Sequence, residues 1–518
     1  MRLRQAVSRE PLISDGYAEI IPISAPIRAD RQGAKRHYGV HPYFTRRPYN
    51  VVRNYVLHYS HEGDIVADPF GGSGVTAIEA FLENRVGLQN DINPLANFIA
   101  KGIAGLEHGS LAEYKGALDF VRSHCRGRLS RIQGATEKGL VAFRRGTELP
   151  ANVPLPSDSD VASYHELFSA RQLLSLAVLK KAIDEIPSKS SRAALLLAWS
   201  ASLAKLNRTF LSAEGRAESR GGSSIFSIYR YKVAKKPVEL PPWETFEERA
   251  LNVLAAKAEI DKHVEIKRKT GKWIGRFDCY ALDVEQLAAQ LENSVDYIFT
   301  DPPYGGHISY LDLSTLWNSW LGIMPSPQSR RSELIVGGEL DLSEGVYVTR
   351  LGAAIRACLR MLKTNRWLSV VFQHWNVSYF EAILGAAADS GAELRAAVSQ
   401  VGDPIWSMHK KKSNESVLAG ELILTFFKSG RRRGSIDRLN GFDVSDAVRE
   451  VLTSARSGKI YGEYLFNQIV MAAWQHGAIG ALNISKTEFI DLIQRNGWQY
   501  DEKNHVWTRS GQQVGLFG

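Results

Sequence analysis

The stretch "DIVADPFGGSGVTAIEAFLENRVGLQNDINP", Asp64 to Pro94, decides the fold. "DIVADPF" has the short apolar run of a buried strand, and "VTAIEAFLEN" has the apolar spacing of a helix. "RVGLQNDINP" is a second strand that ends in polar residues, and "LANFIAKGIAGL" is a second helix. This βαβα start predicts an α/β domain with a parallel sheet. Between the first strand and the first helix, Gly71, Gly72 and Gly74 permit a tight turn and let a ligand approach the backbone closely.

Gly72, Gly74 and Ala77 satisfy the G-x-G-x-x-G/A spacing of dinucleotide sites, with Asp91 placed where a ribose-binding acid stands after the second strand. A dehydrogenase reading is therefore open at this point. The absence of G-x-x-x-x-G-K-[ST] argues against a nucleotide triphosphatase. Asp68, immediately before the turn, would oppose a pyrophosphate and suits the cationic amino acid end of S-adenosylmethionine. Asp283 in "CYALDVEQL" ends a third strand, where it can accept from an adenine amine, cap the following helix, or both. Three acids at three successive strand ends suit an adenosine joined to a cation.

The pattern breaks for the stretch from about Glu107 to Ile266, which reads as mostly helical, as in "HELFSARQLLSLAVLKKAIDEI" and "SRAALLLAWSASLAKLNRTF". Strand, helix and strand then resume and run into "VDYIFTDPPYGG", Val295 to Gly306. Val295, Tyr297, Ile298 and Phe299 form a buried strand, and Pro302-Pro303 forbids its continuation. Asp301 and Tyr304 are thus fixed in a stiff turn at a carboxyl edge, where open α/β sheets bind ligands. "RWLSVVFQ" and "GELILTFFK" read as further strands, with the helix "SYFEAILGAAADSG" between them.

In this order, "DPFGGSG", "NDINP", "ALDVEQL" and "TDPPYGG" resemble the cofactor and catalytic motifs of the amino-group DNA methyltransferases, which methylate the exocyclic amine of adenine or cytosine. The resemblance covers about Lys35 to Leu106 and Gly275 to Lys428. It implies a Rossmann-like S-adenosylmethionine-dependent methyltransferase sheet over 35–106 and 267–430, preceded by an extension over 1–34. Cofactor contacts then fall to Asp68, Phe70, Gly72, Gly74, Asp91 and Asp283, and "HYGVHPYFTRRPYNVVRNYVLHYS" resembles the helix over the methionine end, which adds Tyr43 and Phe44. The catalytic set is Asp301, Pro302, Pro303 and Tyr304. Two acceptors, the Asp301 carboxylate and the Pro302 carbonyl, would draw the amine lone pair back onto nitrogen, and Tyr304 would stack on a base flipped out of double-stranded DNA. Asp301 points to adenine, since a serine there is the more usual mark of the cytosine enzymes. The resemblance also implies a restriction or phage-defence setting with partner proteins. Two alternatives stay open: an RNA amino-group methyltransferase of the guanine N2 type, and a catalytically silent DNA-recognition subunit.

The chain departs from the family's usual layouts. Only 17 residues separate Asp283 from Asp301, and the long insertion, 107–266, falls earlier. Of the chain's net charge of +9, +6 lies between Ala204 and Lys236, in "NRTFLSAEGRAESRGGSSIFSIYRYKVAKK" and its flanks. Arg208, Arg216, Arg220 and Arg230 interleaved with Phe226 and Tyr229 suit phosphate contact and stacking. Lys410 and Lys411, beside Trp406, are candidate DNA contacts near the flipped base. In the tail, 431–518, "SKTEFIDLIQRNG" opens with a capping box of Ser485 and Glu488, and "GWQYDEKNHVWTR" reads as two strands around a polar turn. A helix before a hairpin resembles a winged helix, and a small helical cap is the alternative.

At 518 residues with 44% hydrophobic and 23% charged residues, the composition predicts two or three folded units of a soluble protein. No apolar run reaches a membrane span and the first residues lack a signal-type apolar core, so the expected location is cytoplasmic. Cys125, Cys279 and Cys358 form no C-x-x-C pair, which suggests neither a disulfide framework nor a metal site.

Overall fold

A computed structural model of the chain describes residues 16–30, 36–211, 222–235, 237–306, 308–374, 376–400, 421–429, 443–455, 458–460, 462–476, 478, 486–501 and 506–509. Seven strands form one sheet: β1 Ile65–Asp68, β2 Val86–Asn90, β3 Arg276–Tyr280, β4 Val295–Thr300, β5 Leu362–Phe372, β6 Ala392–Gln400 and β7 Glu421–Lys428. Their spatial order is β3-β2-β1-β4-β5-β7-β6. The first five pair in parallel, and β7 runs antiparallel to both β5 and β6. Every residue of β4 is buried, as expected of a central parallel strand covered on both faces. The edge strand β6, which the sequence pattern did not announce, carries half-exposed residues and charges along "AELRAAVSQ".

This order fixes the site. The chain winds outward from β1 to β2 and β3, then returns to place β4 on the other side of β1, so the strand order reverses between β1 and β4. Ligands of open α/β sheets bind at such a reversal, beyond the carboxyl ends. The loops found there are the glycine loop and the Asp301 turn.

Helix α1, Tyr49–Tyr59, precedes β1, and α2, Val75–Leu82, follows the glycine loop with all of its residues buried. α2 lies directly on β2, because a Cβ at Gly87 would sit 1.9 Å from the Ala77 carbonyl oxygen. α3, Pro94–Ala104, starts at the Asn93 cap with proline in its first turn. Between α3 and β3 the chain is helical: α4 Leu111–Gln133, α5 Glu137–Arg144, α6 Ala170–Asp184, α7 Lys189–Ser202 and α8 Pro242–Thr270. α8 extends four residues beyond the expected end of the insertion at Ile266. These helices share one hydrophobic core with α1 to α3 and one face of the sheet. Trp317 Nε1 donates to the Ser200 carbonyl at 3.0 Å, Tyr164 Oη to Leu316 at 2.6 Å, and Tyr231 Oη to Leu313 at 2.7 Å, so the insertion grips the chain just after the Asp301 turn.

On the other face, α9 Val284–Gln290, α10 Glu344–Met361 and α11 Val377–Asp389 cover the sheet. The same core takes in the tail, whose order is α12 Val444–Ser454, β8 Lys459–Ile460, α13 Gly462–Gln475, α14 Lys486–Arg495, β9 Trp498–Asp501 and β10 Val506–Arg509. Its strands form an antiparallel sheet in the order β8-β10-β9. Asn467 Nδ2 donates to Ser399 Oγ at 3.1 Å, joining α13 to β6. Ser485, half of the expected capping box, lies outside the described residues.

Candidate active site

At the end of β1 the Asp68 carboxylate accepts from Thr300 Oγ1 at 2.7 Å, Thr76 Oγ1 at 2.9 Å and the Phe70 amide at 3.1 Å. It therefore ties together β1, β4 and α2 while lining the crevice. Burial pushes its carboxyl up to about 7, against the pull of those three hydrogen bonds. Gly72 and Gly74 have φ of 50° and 91°, left-handed values that favour glycine. A Cβ at Gly72 would meet the Tyr43 ring at 3.2 Å, and one at Gly74 would meet Ala100 Cβ at 2.6 Å. The first glycine keeps the loop open under Tyr43; the second lets α2 pack on α3.

Asp91, just past β2, accepts from the Gly72 amide at 2.9 Å and the Asn93 amide at 2.8 Å. The glycine loop is thereby fastened to the second strand end, and burial raises the Asp91 carboxyl to about 6. Asp283 caps α9, accepting from the Gln286 amide at 2.9 Å, and still lines the crevice. Both of its expected roles are compatible with this position.

The crevice is a single cavity of about 510 Å³. Its walls bring together Tyr43, Asp68, Phe70, Gly72, Asp91, Asp283, Asp301, Pro302, Pro303 and Tyr304. Phe44 and Gly74 stand behind the wall. Phe44 packs on Phe226 and Trp317 at ring distances of 5.7 and 6.2 Å.

In the turn after β4, Tyr304 Oη donates to Asp301 Oδ1 at 2.6 Å, and the Tyr304 ring meets Phe372 edge-on at 5.1 Å. Tyr347 Oη, from α10, donates to the Pro303 carbonyl at 2.5 Å. Two neighbouring arginines, which the sequence reading did not single out, complete the site. Arg46 Nε donates to Ser73 Oγ at 2.7 Å, and its terminal nitrogens donate to the Tyr38 and His41 carbonyls. Arg47 Nε donates to Asp301 Oδ2 at 2.5 Å, and its other nitrogens reach Tyr304 Oη and the Glu421 carboxylate. The "TRRP" run was the signal available, since a pair of arginines in a segment that lies over a cavity must find acceptors.

The candidate DNA-contacting residues divide. Arg208 Nη1 donates to the Glu166 carbonyl at 3.0 Å, and Arg230 pairs with Asp160 at 2.6 Å. Phe226 is partly buried against Phe44 and Trp317, and Tyr229 packs on the same core with φ of 51°. Arg216, Arg220, Lys410 and Lys411 lie outside the described residues.

A seven-stranded, mostly parallel sheet with a glycine loop and an Asp-Pro-Pro-Tyr turn facing each other across its reversal point fits the Rossmann-like methyltransferases. Residues 24–100 match the family model N6_N4_Mtase, described as DNA methylase, which supports the amino-group DNA methyltransferase family for this chain. The match spans the arginine pair, the glycine loop and Asp91, and ends before the Asp301 turn. No curated protein matches the chain. Among the described residues no helix is long and apolar enough to cross a membrane, and no cluster of His, Cys, Asp and Glu is suited to a metal.

Proposed function

We propose that the chain is a site-specific DNA methyltransferase that moves a methyl group from S-adenosylmethionine to the exocyclic amine of adenine. The observation that carries this reading is the one cavity in which Asp301, Pro302 and Tyr304 face Gly72, Asp91 and Asp283. The residues present fit the cofactor. A volume of about 510 Å³ admits an adenosine with an amino acid arm, Gly72 leaves a side-chain-free floor beneath Tyr43, and acids stand where a cationic ligand is favoured.

S-adenosylmethionine supplies, when bound, an electrophilic methyl on a sulfonium. Gly72 and Tyr43 would hold its amino acid arm, Asp91 the ribose and Asp283 the adenine. Asp301 and the Pro302 carbonyl would accept the two hydrogens of the target amine, localising its lone pair, while the stiff double proline keeps both acceptors in place. The Tyr304 ring would stack on the flipped base once its hydroxyl leaves Asp301. The carboxylate at Asp301 favours adenine over cytosine as the target.

We assign DNA contact to the insertion rather than to the tail. The segment Ala204 to Lys236 carries +6, whereas the longer tail, 431–518, holds eleven basic and nine acidic residues. The helix-strand-helix-helix-strand-strand order of the tail supports a winged helix, and its charge balance favours a packing role for it. Restriction or phage defence is the setting we propose. Methylation-aware sequencing with nucleoside mass spectrometry of DNA from expressing cells tests the reading; unmodified DNA, or the cytosine derivative alone, refutes it. Methyl transfer confined to RNA would instead favour the guanine N2 alternative.

A further inference from the structure

The Asp301 carboxylate is partly buried at the foot of the turn, and loss of solvent favours a carboxyl that keeps its proton. Protonation would turn one of the two Asp301 acceptor oxygens into a donor that the amine hydrogens cannot use, so the anion serves the turn best. The groups facing it from the surrounding elements are Arg47 on the covering segment, Glu421 at the start of β7, Tyr304 within the turn, Tyr310 after it and Asp68 at the end of β1. Arg47 is the cation among them. Its three nitrogens are divided among three partners: Nε on Asp301 Oδ2, one terminal nitrogen on Glu421 and the other on Tyr304 Oη. A planar guanidinium can hold this geometry and an ammonium cannot. Its backbone is held in turn, because Arg46 next to it is tied to Ser73 and to the Tyr38 and His41 carbonyls.

We propose that Arg47 is a positioning residue, shared between Asp301 and Glu421, that keeps the Asp301 carboxylate anionic and aimed into the cavity. The proposal rests on the amino-group methyltransferase reading given above. Glu421 moderates the device: it takes part of the guanidinium's charge and so leaves Asp301 able to accept from the target. The two residues have opposite effects on Asp301, because the Arg47 charge pulls its carboxyl down and the Glu421 charge pushes it up.

The test uses full-length protein with paired variants. Arg47→Gln is expected to move the acid limb of the pH–kcat profile upward by about one to three pH units, with Arg47→Lys restoring part of the shift. Glu421→Gln is expected to move the same limb downward, which keeps the proposal testable if the Arg47 variants fail to fold. Carboxyl titration by 13C NMR, with the Asp301 signal assigned by its loss in Asp301→Asn, follows the same charge without any turnover. Acid limbs and Asp301 titrations unchanged in both Arg47→Gln and Glu421→Gln would overturn the proposal. If the wild-type protein transfers no methyl to DNA, the functional reading fails, and the NMR titration still decides the role of Arg47.

Discussion

Asp68 should make the protein less stable as pH rises, and Asp68→Asn should abolish that trend. The carboxyl is buried and hydrogen-bonded, and burial raises it from the ordinary 3.8 to about 7. A group whose folded-state value lies above its unfolded one adds stability below the unfolded value and loses it as pH climbs through the folded one. The window here runs from about pH 4 to about pH 7. Integrating the linkage, the wild type loses about 2–3 kcal/mol at this site from about pH 5 to about pH 8. Asparagine retains an acceptor for the Thr300 hydroxyl and the Phe70 amide and carries no titrating proton. The difference in unfolding free energy, Asp68→Asn minus wild type, should therefore rise by about 2–3 kcal/mol over that range. Denaturant unfolding followed by tryptophan fluorescence at several pH values measures it. Parallel pH dependences in the two proteins would refute the argument, because they would mean that Asp68 stays ionised throughout.

Asp301→Ala is expected to abolish methyl transfer while calorimetry finds S-adenosylmethionine binding nearly unchanged, and near-normal DNA methylation by that variant would contradict the assigned role. Asp91→Ala should weaken cofactor binding, since it removes the carboxylate proposed to hold the ribose and releases the Gly72 amide that it fastens. Replacing Arg216, Arg220 and Arg230 by alanine should flatten the slope of log affinity against log salt by up to about 1.8, because Arg230 is already paired with Asp160 and about 0.9 is due to each phosphate contact. Trp317→Ala should destabilise the fold by about 3–5 kcal/mol, read from thermal or denaturant unfolding, because the ring is fully buried.

Much of the sheet could be read from the chain because parallel strands are short apolar runs that end in the residues they present. β1, β2, β4 and β5 had such a run, as did the antiparallel β7, while β3, "RFDCY", was placed by the acid that follows it. β6 did not: "AELRAAVSQ" is an edge strand with one neighbour, its charges face solvent, and its pattern resembles a loop or helix end as much as a strand. The cavity acids were legible for the same reason that the strands were, since Asp68, Asp91 and Asp283 follow strand ends. Arg47 and Glu421 were not, because their partnership spans 374 positions in sequence and no local spacing records it. Phe226 shows the reverse difficulty. An aromatic among arginines suggests a surface wedge, yet its ring packs on Phe44 and Trp317 beneath the covering segment.

The grip of the insertion on residues 313–317 has a bearing on engineering. Three long polar side chains, Tyr164, Tyr231 and Trp317, cross the boundary between the helical layer and the chain that leaves the Asp301 turn, and each ends on a backbone carbonyl. A carbonyl acceptor is supplied by any sequence, but its position depends on the whole loop. A chimaera that exchanged the insertion alone would set foreign side chains against the native loop and displace the turn, whose Tyr304 lies nine to thirteen residues upstream of the gripped positions. On the proposed reading, in which the insertion contacts DNA, altered target choice calls for moving two discontinuous pieces together, the helical layer and the segment after Tyr304.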